Sequence, residues 1–459
     1  MPLTNLRILL LFISVGGACA FRAWPQEQIL SFAINQVKLR YVSPVERQTL
    51  VNAALDGLAR NLDRYSSYFD PAGMSRLKED LDKQFGGIGV EILLDPKTKE
   101  LVVASPLVDS PAYRAGVRAG DKIVEIDGTS TKGMSVGDVA RLLRGPPGQS
   151  VRLKLLPYGK SDPVELTLIR SIIQEYTVLG DRRRPDGTWD YFLDMPNIPK
   201  IGYIRINSFG SQTHTELEKV IDELLRQGME GLILDLRNDP GGLLGSAIAV
   251  CDLFLPSGVV VTIRGKGGQI REVFTASGKG KYLELPMAVL VNQYSASAAE
   301  IVAACMQDHK RAVVVGQRTF GKGTVQELIE LGPRHGILKV TTATYWRPSN
   351  KQIHRADDAK EEDDWGVKPD PGYEVPVEGE VFVRLVRLRM YRDMANQEMA
   401  RQYHAQSTSG GSTLAAESGA LAESAELFDD PQLMKAVEYM KAKVQEKTSR
   451  QVVSAALAP

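Results

Sequence analysis

Histidine and cysteine are scarce in this chain. It has five histidines and three cysteines in 459 residues, and the histidines stand singly. No HExxH run and no CxxC pairing occurs, so the usual sequence signatures of zinc and haem chemistry are missing and no metal or cofactor is expected. Net charge is also lacking, because 56 basic residues balance 56 acidic ones. That excludes the basic footprint of a nucleic-acid or anionic-membrane protein. The apolar stretch from Ile8 to Val15 is too short for an ordinary spanning helix, which needs about 20 residues.

That stretch reads instead as the core of a secretory signal over residues 1–20. Arg7 precedes it, and Ala18-Cys19-Ala20 is a small-residue cleavage site. An uncleaved anchor and a lipidated Cys19 are the alternatives. The expected location is exported, in the periplasm or cell envelope, soluble or loosely membrane-associated. After cleavage only Cys251 and Cys305 remain, both in apolar helix-like runs, and they read as buried free thiols.

Five regions follow from the pattern. After the signal, residues 21–82 read as helical, with Leu50, Ala53, Ala54 and Leu58 at helical spacing. Residues 83–171 switch to short strands and turns. Residues 172–375 alternate strands with helices. The strand candidates are Ile201 to Ile206, Gly231 to Leu236, Val259 to Ile263, Met287 to Val291 and Ala312 to Val315. Such alternation predicts a mostly parallel α/β sheet with its site at the strand C-termini. Residues 376–459 form a helical tail, interrupted by an Ala/Ser/Gly-rich linker over 406–427.

Two of these strands end in chemically suggestive turns. Asn292-Gln293-Tyr294-Ser295-Ala296-Ser297-Ala298-Ala299-Glu300 leads from a strand into a helix, and a serine there is exposed to helix amides. Ser297-Ala298-Ala299-Glu300 also fits the capping box S-x-x-E, which alone would make Ser297 a helix cap. Lys322 lies between Gly321 and Gly323 and by itself reads as a solvated loop lysine. Gly316 to Lys322 matches G-x-x-x-x-G-K, but Gly323 replaces the magnesium-binding hydroxyl and a strand follows, so a nucleotide loop is excluded.

Together the two residues make coherent chemistry. A serine hydroxyl needs a base to become nucleophilic, and a lysine is a base only when burial keeps it neutral. Gln326, four residues on, faces the same side of the strand as Lys322 and is placed to orient its amine. Asp235 to Leu244 turns through Gly241 and Gly242 into a helix. Its backbone amides and that of Ala298 could supply an oxyanion hole.

Two resemblances sharpen this reading. The glycine loop Phe85-Gly86-Gly87-Ile88-Gly89, the short helix Ser110 to Val117 and the strand-turn Gly120 to Gly128 resemble a PDZ domain in order. That implies that Phe85, Gly86, Gly87, Ile88 and Gly89 line a groove for a peptide C-terminus. Ser295 to Glu300, Gly316 to Gln326, Asp235 to Gly242 and Gly202 to Ile206 together resemble the carboxyl-terminal processing peptidases, also called tail-specific proteases. Residues 35–375 share the likeness.

The resemblance implies a crotonase- and Clp-protease-like core and a serine endopeptidase. It puts the nucleophile at Ser297, the general base at Lys322, the supporting glutamine at Gln326, and the oxyanion hole at Ala298 and one of Gly241 and Gly242. It implies protein substrates with exposed C-termini, no nucleic acid, no stable membrane span after cleavage, and allows a homo-oligomer. It also offers Arg144 as a contact through which the PDZ-like module gates activity. A catalytically inactive peptide-binding scaffold is the alternative. Two positions depart from the pattern. Asp239 stands where asparagine is usual, adding a carboxylate that would disfavour an oxyanion if it pointed inward. Asn350 stands where glycine is usual, a mild change because asparagine tolerates a left-handed turn.

Overall fold

The computed structural model describes residues 26–95, 98–193, 195–332, 334–396, 398 and 430–456. The signal sequence, Cys19 and the 406–427 linker lie outside the described residues. Two compact units emerge. One is the chain up to Ser75 with Gln326–Thr341, and the other is Arg76–Val325 with the chain from Thr342 onward.

The first unit contains the helices Gln26–Arg40 and Arg47–Arg60 and part of a hairpin. The expected all-helical reading of residues 21–82 fails at Ser67–Phe69, which is a strand paired antiparallel with Lys339, Leu338 and Ile337. The reason is local. The Asp63 carboxylate accepts the Tyr65 and Ser66 amides at 2.7 and 2.8 Å, so the backbone turns out of the helix. Tyr68 then donates its hydroxyl to the His335 carbonyl at 2.8 Å.

The second unit holds two β-rich and α/β bodies of core. An antiparallel sheet runs in the order Val90–Leu94, Leu101–Pro106, Lys122–Ile126, Ser150–Leu156 and Val164–Ile169, with Thr129–Ser130 beside the third strand. Ile88, Val103, Ile126, Val139 and Val151 fill its core. Its short helix Pro111–Arg114 starts where Ser110 caps the Tyr113 amide and proline occupies the first turn. The helix Val136–Leu143 starts at a capping box between Ser135 and Asp138.

The α/β sheet runs Val178–Leu179, Ile201–Ile206, Gly231–Asp235, Met287–Val291 and Val313–Gly316. The last four strands are parallel, as the alternation predicts. Val259–Arg264 does not join them. It pairs antiparallel with Ile270–Thr275 and with the strand ending at Trp346, in a different sheet.

Strands buried on both faces read as continuous apolar runs, and these do. One face, through Ile204, Leu234, Val289 and Val314, packs on the helices Thr213–Arg226, Leu244–Asp252 and Ala298–Asp308. The other, through Tyr203, Ile233, Leu290 and Val315, is covered by the last helix, Pro431–Ala456. Leu433, Ala436, Val437, Met440 and Val444 recur at helical spacing and are all buried there. The tail therefore completes the core. Cys251 and Cys305 are buried free thiols in the opposite layer.

Candidate active site

Three adjacent parallel strands deliver three turns to one edge of the sheet. Asp235 is in register with Leu290, and Val291 with Gly316. The turns leaving those strands are the Pro-Gly-Gly turn at 236–243, the serine turn at 292–297 and the lysine turn at 317–323.

Side chains lock the turns together. The Ser295 hydroxyl donates to the Leu236 carbonyl at 2.8 Å. Asn292 accepts the Asn238 amide N–H and donates its own Nδ2 to Asn238 Oδ1, both at 3.0 Å. The Ala296 N–H donates to the Asp239 carbonyl at 2.8 Å, and the Phe320 N–H to the Ser295 carbonyl at 3.0 Å.

Ser297 is buried and has φ 56° and ψ −112°. An ordinary N-cap residue sits in the extended region, so this is a strained position for a side chain. A serine on such a sharp strand-to-helix turn presents its hydroxyl away from the sheet. The capping partner is real on the Glu300 side, since Glu300 Oε2 accepts the Ser297 N–H at 2.8 Å.

Glu300 does more than cap. It is fully buried, and its carboxylate accepts four hydrogen bonds. Oε1 takes the Thr319 hydroxyl at 2.5 Å and the Gly321 N–H at 2.7 Å. Oε2 takes the Ser297 N–H and the Lys322 N–H, each at 2.8 Å. One carboxylate thus fixes the backbone of both the serine and the lysine. Burial pushes its carboxyl up to about 7, while the four donors pull the other way. The sequence signal S-x-x-E found Glu300 but not its reach to the lysine turn, which lies about twenty residues further on.

Lys322 is half-buried at the tip of the lysine turn. The neighbouring glycine is needed sterically, because a Cβ on Gly323 would lie 2.2 Å from the His354 amide nitrogen. Trp365 braces the same turn, with the Arg318 and Arg355 guanidiniums 3.4 and 4.3 Å from its ring centroid. The Thr319 N–H donates to the Val367 carbonyl at 3.1 Å. Gln326 falls in the other unit, where its amide donates to the Thr341 hydroxyl at 3.2 Å.

The Pro-Gly-Gly turn presses on the serine. A Cβ on Gly241 (φ 94°) would sit 2.8 Å from both Ser297 Cβ and the Ala298 amide nitrogen. Only glycine permits that approach. The Gly241 N–H itself donates to Asp239 Oδ1 at 2.7 Å. Asn350 has φ 64°, the left-handed turn that its place in the sequence suggests.

In the PDZ-like sheet's loop, Gln84–Gly87 pairs antiparallel with Ser171–Gln174. The Ile88 carbonyl accepts the Ala112 N–H at 3.0 Å, and the Gly89 carbonyl accepts the Ser110 hydroxyl at 3.0 Å. The Arg144 guanidinium lies 4.3 Å from the centroid of the Phe85 ring, at the mouth of this loop.

Comparison with known proteins identifies the family. The model of peptidase family S41 matches residues 200–371, and that of the PDZ domain matches residues 102–157. The chain is 35% identical over 350 residues to a carboxy-terminal-processing protease of Bartonella bacilliformis, covering 74% of each chain. It is 36% identical over 343 residues to a carboxyl-terminal-processing protease of Synechocystis, again covering 74% of each. A solved photosystem II D1 C-terminal processing protease is 30% identical, over 76% of this chain and 88% of that one, with a TM-score of 0.42. The chain belongs to peptidase family S41. Within it the chain sits with the carboxyl-terminal processing proteases, as a serine endopeptidase that carries a PDZ domain and binds peptide substrates.

Proposed function

We propose that this endopeptidase works through a Ser297–Lys322 dyad on substrates recognised by their C-terminal tails. The observation that carries the reading is the shared carboxylate: Glu300 holds the Ser297 and Lys322 backbones at once. Ser297 attacks the scissile carbonyl, and the neutral Lys322 amine takes its proton. The protonated amine then gives that proton to the leaving amine. Water, activated by the same lysine, releases the acyl-enzyme. Ala298 and Gly242 supply the oxyanion amides, since the Gly241 N–H is engaged by Asp239.

The loop Phe85 to Gly89 receives the tail's carboxylate, with the Arg144–Phe85 stack as the contact that responds to occupancy. The apolar stretch after Arg7 supports export to the periplasm or cell envelope. A homo-oligomer is compatible with this reading.

The test is cleavage of an unfolded protein ending in apolar residues by the mature chain, by Ser297→Ala and by Lys322→Ala. Both variants should lose turnover. Equal cleavage by all three would refute the dyad, and binding without cleavage by the unaltered chain would favour an inactive scaffold. Amidation of the substrate's C-terminus should raise KM, and an unchanged KM would refute carboxylate capture.

A further inference from the structure

Asp239 is fully buried in the Pro-Gly-Gly turn, and its two carboxyl oxygens are treated differently. Oδ1 accepts the Gly241 N–H at 2.7 Å. Oδ2 is buried and has no hydrogen-bond partner. The residue's own carbonyl holds the Ala296 N–H at 2.8 Å, one residue before Ser297. Asp239 thus holds both the Gly241 peptide and the residue that precedes Ser297. An ionised carboxylate here would keep one bare oxygen in the interior, where an unpaired charge is far more costly than a neutral polar group.

No neighbouring cation removes that cost. Lys83, on the segment before the PDZ-like sheet, attracts Asp239, but no ion pair among the described residues joins the two. On Asp239's own turn, Asp235 and Arg237 pair at 2.7 Å, and Arg237 pairs again with Asp430 at 2.9 Å. From the serine helix comes Glu300, closed by its four donors, and from the lysine turn comes Lys322. Arg237 and Glu300 are thus committed to other partners, and Lys322 belongs to the dyad.

We propose that Asp239 is a positioning residue that works as the neutral acid: it orients the Gly241 peptide, and its ionisation shuts off acyl transfer on the alkaline side. This rests on the Ser297–Lys322 reading. In the neutral state the acid aligns the glycine turn through Oδ1 and adds no charge beside the oxyanion. Loss of the proton to solvent puts a second anion on the same turn, within the water-poor environment where like charges interact strongly. Burial pushes the Asp239 carboxyl well above the usual carboxylate range, in keeping with a proton retained at neutral pH.

Asp239→Asn keeps an acceptor for Gly241 and cannot ionise. The experiment compares pH profiles of kcat/KM for the unaltered enzyme and Asp239→Asn on one peptide substrate. The unaltered enzyme should lose about tenfold per pH unit above the Asp239 transition, as one proton is released per site. Asp239→Asn should hold its rate through that range. An alkaline limb identical in both overturns the proposal.

A second readout does not depend on activity. Infrared difference spectra between Ser297→Ala and Ser297→Ala/Asp239→Asn at pH 7, where the Glu300 contribution is common to both, should show a protonated-carboxyl band carried by the former alone. Absence of that band from the difference overturns the proposal, whatever the activity of Asp239→Asn. If Ser297→Ala instead keeps full activity while the band is present, the dyad reading has failed and the assignment of Asp239's proton stands.

Discussion

Replacing Glu300 with glutamine should weaken the protein most at acid pH and disable the site at every pH. The side chain has no exposed surface and receives four donors, two on each oxygen. Glutamine keeps one acceptor oxygen and turns the other position into an N–H₂ group facing two N–H or O–H donors. Each orphaned buried donor costs about 1–3 kcal/mol, so two cost about 2–6 kcal/mol. The native carboxyl carries an opposing cost. Its transition rises from 4.5 to about 7 in the folded state. A raised acid binds more protons folded than unfolded, so its contribution is full below pH 4.5, falls as pH rises to about 7 and is level above. The fall is on the order of 3 kcal/mol. Glutamine has no such slope.

The gap in stability between the two proteins should therefore be widest near pH 4.5 and narrow by on the order of 3 kcal/mol by pH 8. Urea unfolding of both across that range measures it. Turnover should drop about a hundredfold or more, because the serine and lysine turns lose their common anchor and small misplacements at a reacting centre are costly. Turnover within twofold of the unaltered enzyme, together with a gap that does not change with pH, would refute the assignment of Glu300 as the anchor of both turns.

Three further outcomes follow from packing. Gly241→Ala, whose Cβ would fall 2.8 Å from Ser297 Cβ at a positive φ, should abolish cleavage; steady-state assay with a circular-dichroism check of folding tests it. Met440→Ala, at a fully buried position of the last helix, should cost about 2–5 kcal/mol by chemical denaturation, and a change under 1 kcal/mol would mean that this helix does not complete the core. Asp430→Ala leaves Arg237 short of one of its two carboxylate partners and should lower the melting temperature at moderate salt without changing KM, as read by calorimetry and steady-state kinetics.

Much of the site was legible because it is written in short segments. Ser297-Ala298-Ala299-Glu300, the glycines around Lys322 and the Gly241-Gly242 pair are local patterns, and each ends a strand whose apolar run is itself local. The helix Ala298–Asp308 falls where its pattern predicts. The misplaced elements depended on distant partners. Ser67–Phe69 becomes a strand only because Ile337–Lys339 lies beside it. Val259–Arg264 carries the same apolar signal as the parallel strands but pairs elsewhere, since side-chain pattern reports burial and not the identity of the neighbouring strand.

Local pattern sufficed for the parallel α/β sheet, the serine and lysine turns at its strand ends, and the PDZ-like module before it. Tertiary structure decided which groups meet. It brought Glu300 to Lys322, pressed Gly241 against Ser297, buried Asp239 with one oxygen bare, and laid the last helix over the sheet's second face. Periodicity and turn chemistry act over a few residues, whereas a buried carboxylate acquires its donors, and its proton, only from segments that the chain brings together across the fold.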